Sequence, residues 1–431
     1  MEAVQNDMVR MSKTRERESG KAANIFQFSL AGLVVFSVAL LAGSSLITDK
    51  LAAGHPAELR DSFTLDRRDA SLSGHVGPWG DLRTRDIELE RPTEYLTDEV
   101  NHPPVETWIF KGQSIDAVKL LLARNGLSPA QITDALAPAN VSQTGSDTVL
   151  RPSESFLVSL NAATRQKLYA GLSGLGINLY IDYPFIYPGH KIDSIYADAT
   201  LHPDDVALLK KLIYTSGGSG QLSDYEALLA GIPTLERRVA MTRALSRQSA
   251  VLAGLFIRPD TDIDKLAYYW GNVPNVRFTD IRPLMEALKA LPEGGSINLI
   301  FLLPPFARDR LYTFPLPSVP GDTVKDCHWT TFNFSNETPD NRFNNPDYAL
   351  KYINENYYQI AEPSRYGDIV LLLNSRQEVK HSAVFLADDL VFTKNGSNYR
   401  QPWMIMRIAD LLATYPASPP MQVVYIRKKS N

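Results

Sequence analysis

The stretch that decides the fold of the carboxy-terminal part of the chain is KDCHWTTFNF, residues 325–334. It contains Cys327, the only cysteine among 431 residues. Asp326 directly precedes it, and aspartate is a preferred helix N-cap because its carboxylate accepts hydrogen bonds from the first free N–H groups. The sequence therefore predicts that Cys327 stands in the first turn of a helix.

Strand-like runs follow this helix. After a loop rich in Asn, Asp and Pro and one helical piece, three apolar runs appear, at 367–375, 381–389 and 390–396. The first is apolar at successive positions, which is typical of a strand buried on both faces. His381 opens the second. With one more helix and one more strand at the end, the order is a cysteine-bearing helix followed by an antiparallel sheet.

Cys327 and His381 are the residue types that a cysteine hydrolase needs. A thiolate is the nucleophile, and both a helix N-terminus and a nearby imidazole lower the pKa of a cysteine thiol. The first-turn N–H groups can also stabilise an oxyanion. His328 is next to Cys327, and adjacent helix residues point about 100° apart. The sequence therefore predicts His381 as the base and His328 as a residue that shapes the pocket.

These residues resemble the NlpC-like branch of papain-fold cysteine peptidases, which cleave or remodel bacterial cell-wall peptides. The matching features are Asp326 and Cys327 at a helix start, GD at residues 367–368 before a strand, and His381 at the next strand. The likeness covers only about the last 125 residues. It implies a papain-like domain over 297–431, peptidase or amidase activity on peptidoglycan stem peptides, and neither cofactor nor metal.

The resemblance also assigns further residues to the site. A tyrosine ahead of the family's cysteine often lines the oxyanion side, and Tyr312 can stand there. The third catalytic residue stays open: Thr393 lies at the family's spacing after the histidine, whereas Asn395 would supply a papain-like amide two residues later on the same strand face. Asn395 also fits a hairpin turn. His328 and Trp329 replace the family's usual Ser-Gly and make the pocket bulkier.

An uncharged run at residues 25–47 predicts a membrane helix. Basic residues precede it, so the positive-inside rule places residues 1–24 in the cytoplasm and the bulk of the chain outside. The sequence thus predicts a single-pass protein of a bacterial inner membrane with its carboxy-terminal bulk in the periplasm. A cleaved signal peptide is the alternative.

The segments between the membrane helix and the carboxy-terminal domain differ in composition. Residues 48–103 are polar and lack apolar periodicity, which predicts a flexible linker. Residues 104–160 read as a small module whose strand–helix–helix–strand order resembles LysM-like envelope modules. Apolar residues three and four apart predict a mainly helical domain over 161–296. The predicted fold class is therefore α+β, with a transmembrane helix, a small α+β module, a helical middle region and a papain-like domain.

Composition narrows the function classes. The net charge of −4 gives no polycationic signature of nucleic-acid binding. A single cysteine excludes an intrachain disulfide framework and a Cys-rich zinc site. Three functions remain: a membrane-anchored cysteine peptidase or amidase with peptidoglycan as partner, an acyltransferase on the same fold, and a catalytically inactive papain-fold scaffold. Protein partners and glycan binding by residues 104–160 stay open.

Overall fold

The computed structural model describes residues 73–173, 177–189, 191–276, 278–316, 325–417 and 419–429. These residues belong to one compact unit that begins at Leu65. The cytoplasmic tail, residues 1–24, and the membrane helix, residues 25–47, were predicted outside these ranges. Within the ranges, no helix is both long and apolar enough to cross a bilayer. The fold-class prediction, which included a transmembrane helix, is therefore wrong for the described part of the chain.

Helices and short strands alternate through most of the described chain. Its strands are β1 (Ser73–Gly77), β2 (Gly80–Leu89), β3 (Trp108–Phe110), β4 (Val141–Thr144), β5 (Asp147–Leu150), β6 (Phe185–Tyr187), β7 (Tyr214–Ser216), β8 (Ser219–Leu222), β9 (Gln248–Ile257), β10 (Gly295–Asn298), β11 (Tyr357–Ile360), β12 (Ile369–Leu373), β13 (Val379–Ala387), β14 (Leu390–Lys394), β15 (Trp403–Arg407) and β16 (Gln422–Lys428). Its helices are α1 (Thr93–Asn101), α2 (Ile115–Arg124), α3 (Pro129–Ala135), α4 (Glu154–Ser159), α5 (Ala162–Leu172), α6 (Leu179–Asp182), α7 (Lys191–Tyr196), α8 (Pro203–Leu212), α9 (Tyr225–Gly231), α10 (Leu235–Ser246), α11 (Ile263–Trp270), α12 (Phe278–Lys289), α13 (Pro305–Arg308), α14 (Cys327–Phe332), α15 (Pro346–Asn356) and α16 (Ile408–Thr414).

An antiparallel sheet in the order β1-β2-β9-β10 corrects two sequence expectations. The described part of the predicted linker, residues 73–103, instead supplies β1, β2 and α1, and β2 pairs with β9 from Asp81↔Phe256 to Leu89↔Gln248. The middle region, predicted as mainly helical, contains α5 to α12 together with the strands β6 to β9. The run TLERRVAMTRALSRQSAVLAGLFI, residues 234–257, has apolar residues at helical spacing, yet α10 ends at Ser246 and β9 follows. A short apolar run such as β9 cannot be assigned to helix or strand by periodicity alone.

The module at residues 104–160 contains a three-stranded sheet in the order β3-β5-β4 with α2 and α3 between its first strands. A capping box starts α3, in which Ser128 and Gln131 bond each other's backbone N–H groups. Strand β5, which follows the two helices and β4, ends at Leu150. Ser153 caps α4 by accepting from Phe156 N at 3.2 Å, so β5 gives way to a helix there.

The carboxy-terminal sheet has two buried faces. Its strands run in the order β11-β16-β12-β13-β14-β15, and all neighbouring strands pair antiparallel. One face, which we call the helix face, packs with Trp329 and Phe332 of α14 and contains Leu371. The other, which we call the opposite face, contains Leu372. Alternating residues of β12 thus belong to different cores, as the period of a strand requires.

Candidate functional site

Cys327 lies at the start of α14 because Asp326 caps this helix. The Asp326 carboxylate accepts a hydrogen bond from Trp329 N at 2.8 Å, as the sequence predicted for an N-cap. Cys327 is only 5% exposed, yet it is one of the residues that line a cleft. The residue that carries the sole thiol of the chain therefore borders a space that a ligand can enter.

The cleft has a volume of about 1280 Å³ and lies between two parts of the compact unit. One wall consists of residues 325–328 and 395–401, next to the carboxy-terminal sheet. The other wall carries the aromatic rings of Tyr183, Phe185 and Tyr187. Pockets for drug-sized molecules usually measure about 300–1,000 Å³. A cleft of this size suits an extended ligand better than a small metabolite.

His381 does not face α14. It pairs with Leu372 across the sheet, and directly paired residues share a face, so His381 points to the opposite face. Its side chain is completely buried. Its Nε2 lies 2.9 Å from Thr393 Oγ1, and its Nδ1 lies 2.7 Å from the Tyr415 hydroxyl. Tyr415, and not His381, lines the cleft.

Ser382 occupies the position beneath Cys327 that the sequence assigned to His381. It pairs with Leu371 and therefore belongs to the helix face. Its Oγ donates to the Cys327 carbonyl oxygen at 3.4 Å and lies 2.9 Å from His328 Nδ1. A shift of one residue moves a side chain to the other face of a strand. The expectation that β13 presents His381 to Cys327 is therefore corrected.

The two candidates for the third residue have different surroundings. Thr393 pairs with Met404 on the opposite face, where its hydroxyl contacts His381. Asn395 contacts the Met406 sulfur through Nδ2 at 3.6 Å and lines the cleft. Of the two, Thr393 is the one that orients the histidine. Neither stands beside the cysteine on the helix face.

The remaining predicted pocket residues divide between core and cleft. Tyr312, with φ at 61°, donates its hydroxyl hydrogen bond to Val251 O at 2.6 Å and is not among the cleft-lining residues. Trp329 is buried and donates to Asn341 Oδ1 at 3.0 Å, so it is a core residue. His328 does line the cleft. The expectation of a pocket role thus fits His328 and fails for Tyr312 and Trp329.

Sequence reasoning missed two residues next to this site. Lys394 is buried, and its ammonium donates to Gly396 O at 2.8 Å and to Asn398 O at 2.9 Å. Burial lowers the pKa of Lys394 to about 8, while the charges of Cys327 and Asp326 oppose this shift. Ser382 was the other. Strand alternation from the apolar residues of β13 and β14 could have placed both on the helix face once the faces were known.

His328 and Tyr415, which both line the cleft, have shifted pKa values. Burial lowers the pKa of His328, and the nearby Asp326 carboxylate acts in the other direction. Burial also raises the pKa of Tyr415, and the charges of Cys327 and Asp326 add to that effect. The Tyr415 hydroxyl therefore keeps its proton, and both nitrogens of His381 are engaged, Nδ1 with Tyr415 and Nε2 with Thr393. Within the described ranges, no three His, Cys, Asp or Glu side chains are grouped to hold a metal ion.

Comparisons of the chain with protein-family models, with curated proteins and with solved structures return no match. The likeness to NlpC-like peptidases therefore rests on the residues quoted above. The geometry of the site is the remaining guide to function.

Proposed function

We propose that this chain is a cell-envelope binding protein whose cleft holds a peptide of the cell wall without cleaving it. One observation carries this proposal. The imidazole that β13 was expected to present to Cys327 points to the opposite face of the sheet, where Thr393 and Tyr415 occupy both of its nitrogens. A nucleophile and its base must lie within hydrogen-bond reach to act together. With both nitrogens engaged in this way, the His381 imidazole offers no hydrogen bond to the thiol.

The chemistry of the cleft supports a peptide as the ligand. Arg310 and Lys325 line the wall near the cysteine and hold their cations 5.6 and 5.8 Å from the Trp329 ring centre. Asp326 and Asn395 supply oxygen atoms on the same wall. An extended backbone carries alternating donors and acceptors, so a wall with both kinds of group suits it.

Apolar side chains at the rim favour the same class of ligand. Leu179, Tyr183 and Leu316 line the cleft and are 59%, 61% and 71% exposed. Burial of such side chains by a ligand contributes about 25 cal/mol per Å² of apolar surface. A peptide with one or more apolar side chains can cover this rim while its backbone reaches the polar wall.

The test uses the full-length protein and a peptidoglycan stem tetrapeptide. Isothermal titration should detect binding, and mass spectrometry should recover the peptide intact. Cys327→Ala should bind with an affinity within about twofold of the wild type, because removal of a small side chain leaves the polar wall in place. Peptide cleavage that Cys327→Ala abolishes would return the peptidase assignment. Absence of binding by the wild type would reject the binding function.

A further inference from the structure

We infer that His328 contacts the ligand of the cleft through Nε2, as a hydrogen-bond acceptor, and that the ligand group bound there is a hydrogen-bond donor. This inference rests on the proposed function, because it assigns a residue and a ligand chemistry to the same cleft. Its starting point is the short hydrogen-bond chain beneath α14.

The two contacts of Ser382 select one tautomer of His328. The carbonyl oxygen of Cys327 can only accept, so both contacts are hydrogen bonds together only when the single hydroxyl proton of Ser382 lies toward that carbonyl. The Ser382 oxygen then accepts from Nδ1–H of His328 across 2.9 Å. A neutral imidazole that is protonated at Nδ1 carries a lone pair at Nε2. The second nitrogen of a histidine is commonly set in this way by the bond of the first.

The position of His328 directs this lone pair to the cleft. His328 lines the cleft, and its Nδ1 edge is turned to Ser382 in the sheet. The described residues supply no hydrogen bond to Nε2. Burial favours the neutral imidazole, since desolvation disfavours the charged form. Nε2 is therefore left as an acceptor for a group that enters from solvent.

Asn395 provides a second acceptor on the same wall. It is only 6% exposed and lines the cleft. Its Oδ1 is buried without a hydrogen bond from the described residues, whereas its Nδ2 contacts the Met406 sulfur. A buried acceptor without a donor costs about 1–3 kcal/mol, which a ligand N–H can offset. Two acceptors without partners indicate that the ligand brings its donors, such as peptide N–H groups, to this end of the cleft.

The first arm of the experiment needs no ligand. Diethyl pyrocarbonate acylates unprotonated imidazole nitrogens, and peptide mapping of the treated full-length protein assigns each site. His328 should be acylated at a rate within about tenfold of the exposed His202, because its Nε2 is accessible. His381 should stay unmodified, since it is buried with both nitrogens bonded. A His328 as unreactive as His381 would overturn the inference.

The second arm identifies the donor. A series of stem tetrapeptides, each with one peptide N–H methylated, is titrated into the wild type and into His328→Phe. One methylation should weaken binding to the wild type about tenfold and add no loss in His328→Phe, since the two changes remove the same hydrogen bond. His328→Asn should retain more affinity than His328→Phe because it keeps an acceptor. His202→Asn is the matched control and should bind as the wild type.

The outcomes separate the two proposals. If the wild type binds the tetrapeptide but every methylation weakens binding to His328→Phe as much as binding to the wild type, the inference fails. The binding function then stands. If the wild type binds no tetrapeptide, the binding function fails, and the acylation rate of His328 alone decides whether its Nε2 is an open acceptor in the cleft. Should His328→Phe not fold, the comparison of wild type with His328→Asn carries the second arm.

Discussion

His381 and Ser382 are neighbours on β13, yet they belong to different chemical settings. Ser382 lies on the helix face, in contact with the Cys327 carbonyl and with His328. His381 lies on the opposite face, bonded to Thr393 and Tyr415. On the opposite face, both polar groups of the imidazole find partners within the protein. On the helix face, His328 lines the cleft and receives no hydrogen bond at Nε2 from the described residues. We therefore expect the ligand to bind on the side of the sheet that carries Ser382.

The contrast between the two faces of the sheet holds only if both faces are buried cores. Cavity-forming substitutions test this, and they have the largest expected effect. Leu371 on the helix face and Leu372 on the opposite face are 4% and 0% exposed. Leu371→Ala and Leu372→Ala should each lower the free energy of unfolding by about 2–5 kcal/mol. Urea unfolding measures both, with the exposed Leu179→Ala as a control of small effect. If Leu372→Ala lowers the free energy of unfolding by less than about 1 kcal/mol, the face that carries His381 is open to solvent. The contrast between two buried faces would then be wrong.

A second prediction concerns the charge buried on the helix face. Burial lowers the pKa of Lys394 to about 8, whereas an unfolded chain titrates lysine near about 10.4. Between these values the folded protein holds fewer protons than the unfolded chain, so stability rises with pH across this window. Below about pH 8 both states are charged, and the burial cost is present in full. From about pH 8 to 10.4 the gain amounts to about 3 kcal/mol.

Lys394→Met isolates this contribution from that of other groups titrating in the same range. Urea unfolding of both proteins at about pH 7 and about pH 10 should show the wild type gaining stability relative to Lys394→Met. Equal pH dependence in the two proteins would place the ammonium in solvent, and the helix face would then carry no buried charge. The measurement therefore decides whether a buried charge distinguishes the helix face from the opposite face.

The sequence predicted where α14 begins, but it could not predict which face of the sheet His381 occupies. Asp326 before Cys327 predicted the start of α14 because a cap is a local signal. The face of His381 is not local information. The run from Ser382 to Ala387 is buried at every position, so no polar–apolar alternation marks which residues face α14. Only the register with Leu371 and Leu372 fixes the faces, and that register depends on tertiary pairing.

The strand β9 of the middle region was not predicted, for a related reason. The run from Leu235 to Ile257 has apolar residues throughout, and its division into α10 and β9 depends on pairing with the distant β2. That partner lies in a segment whose polar composition predicted a linker. Charged residues such as Arg83 and Arg85 are compatible with a strand that has one face in water. Composition alone could not separate these two cases.

A third prediction tests the closed network on the opposite face. Thr393→Val removes the hydroxyl that lies 2.9 Å from His381 Nε2 and leaves this buried nitrogen without a hydrogen-bond partner. Such a loss should lower the free energy of unfolding by about 1–3 kcal/mol. Thr393→Ser keeps the hydroxyl and should cost less, which makes it the matched control. If the two variants unfold at the same urea concentration, the hydrogen bond contributes nothing and His381 is free to turn.

The last prediction has the smallest expected effect. It tests most directly whether His381 on the opposite face influences Cys327. Because Cys327 is the only thiol, iodoacetamide reports on it alone. An imidazole assists a thiolate only within hydrogen-bond reach, and that of His381 is on the other face with both nitrogens engaged. His381→Gln should therefore change the alkylation rate at pH 7 by less than about twofold. Circular dichroism must show that the variant is folded, since unfolding would expose the thiol. A fall of about tenfold in a folded His381→Gln would mean that the histidine reaches the cysteine in solution. The two faces would then act together, and a peptidase would explain the cleft better than a binding protein.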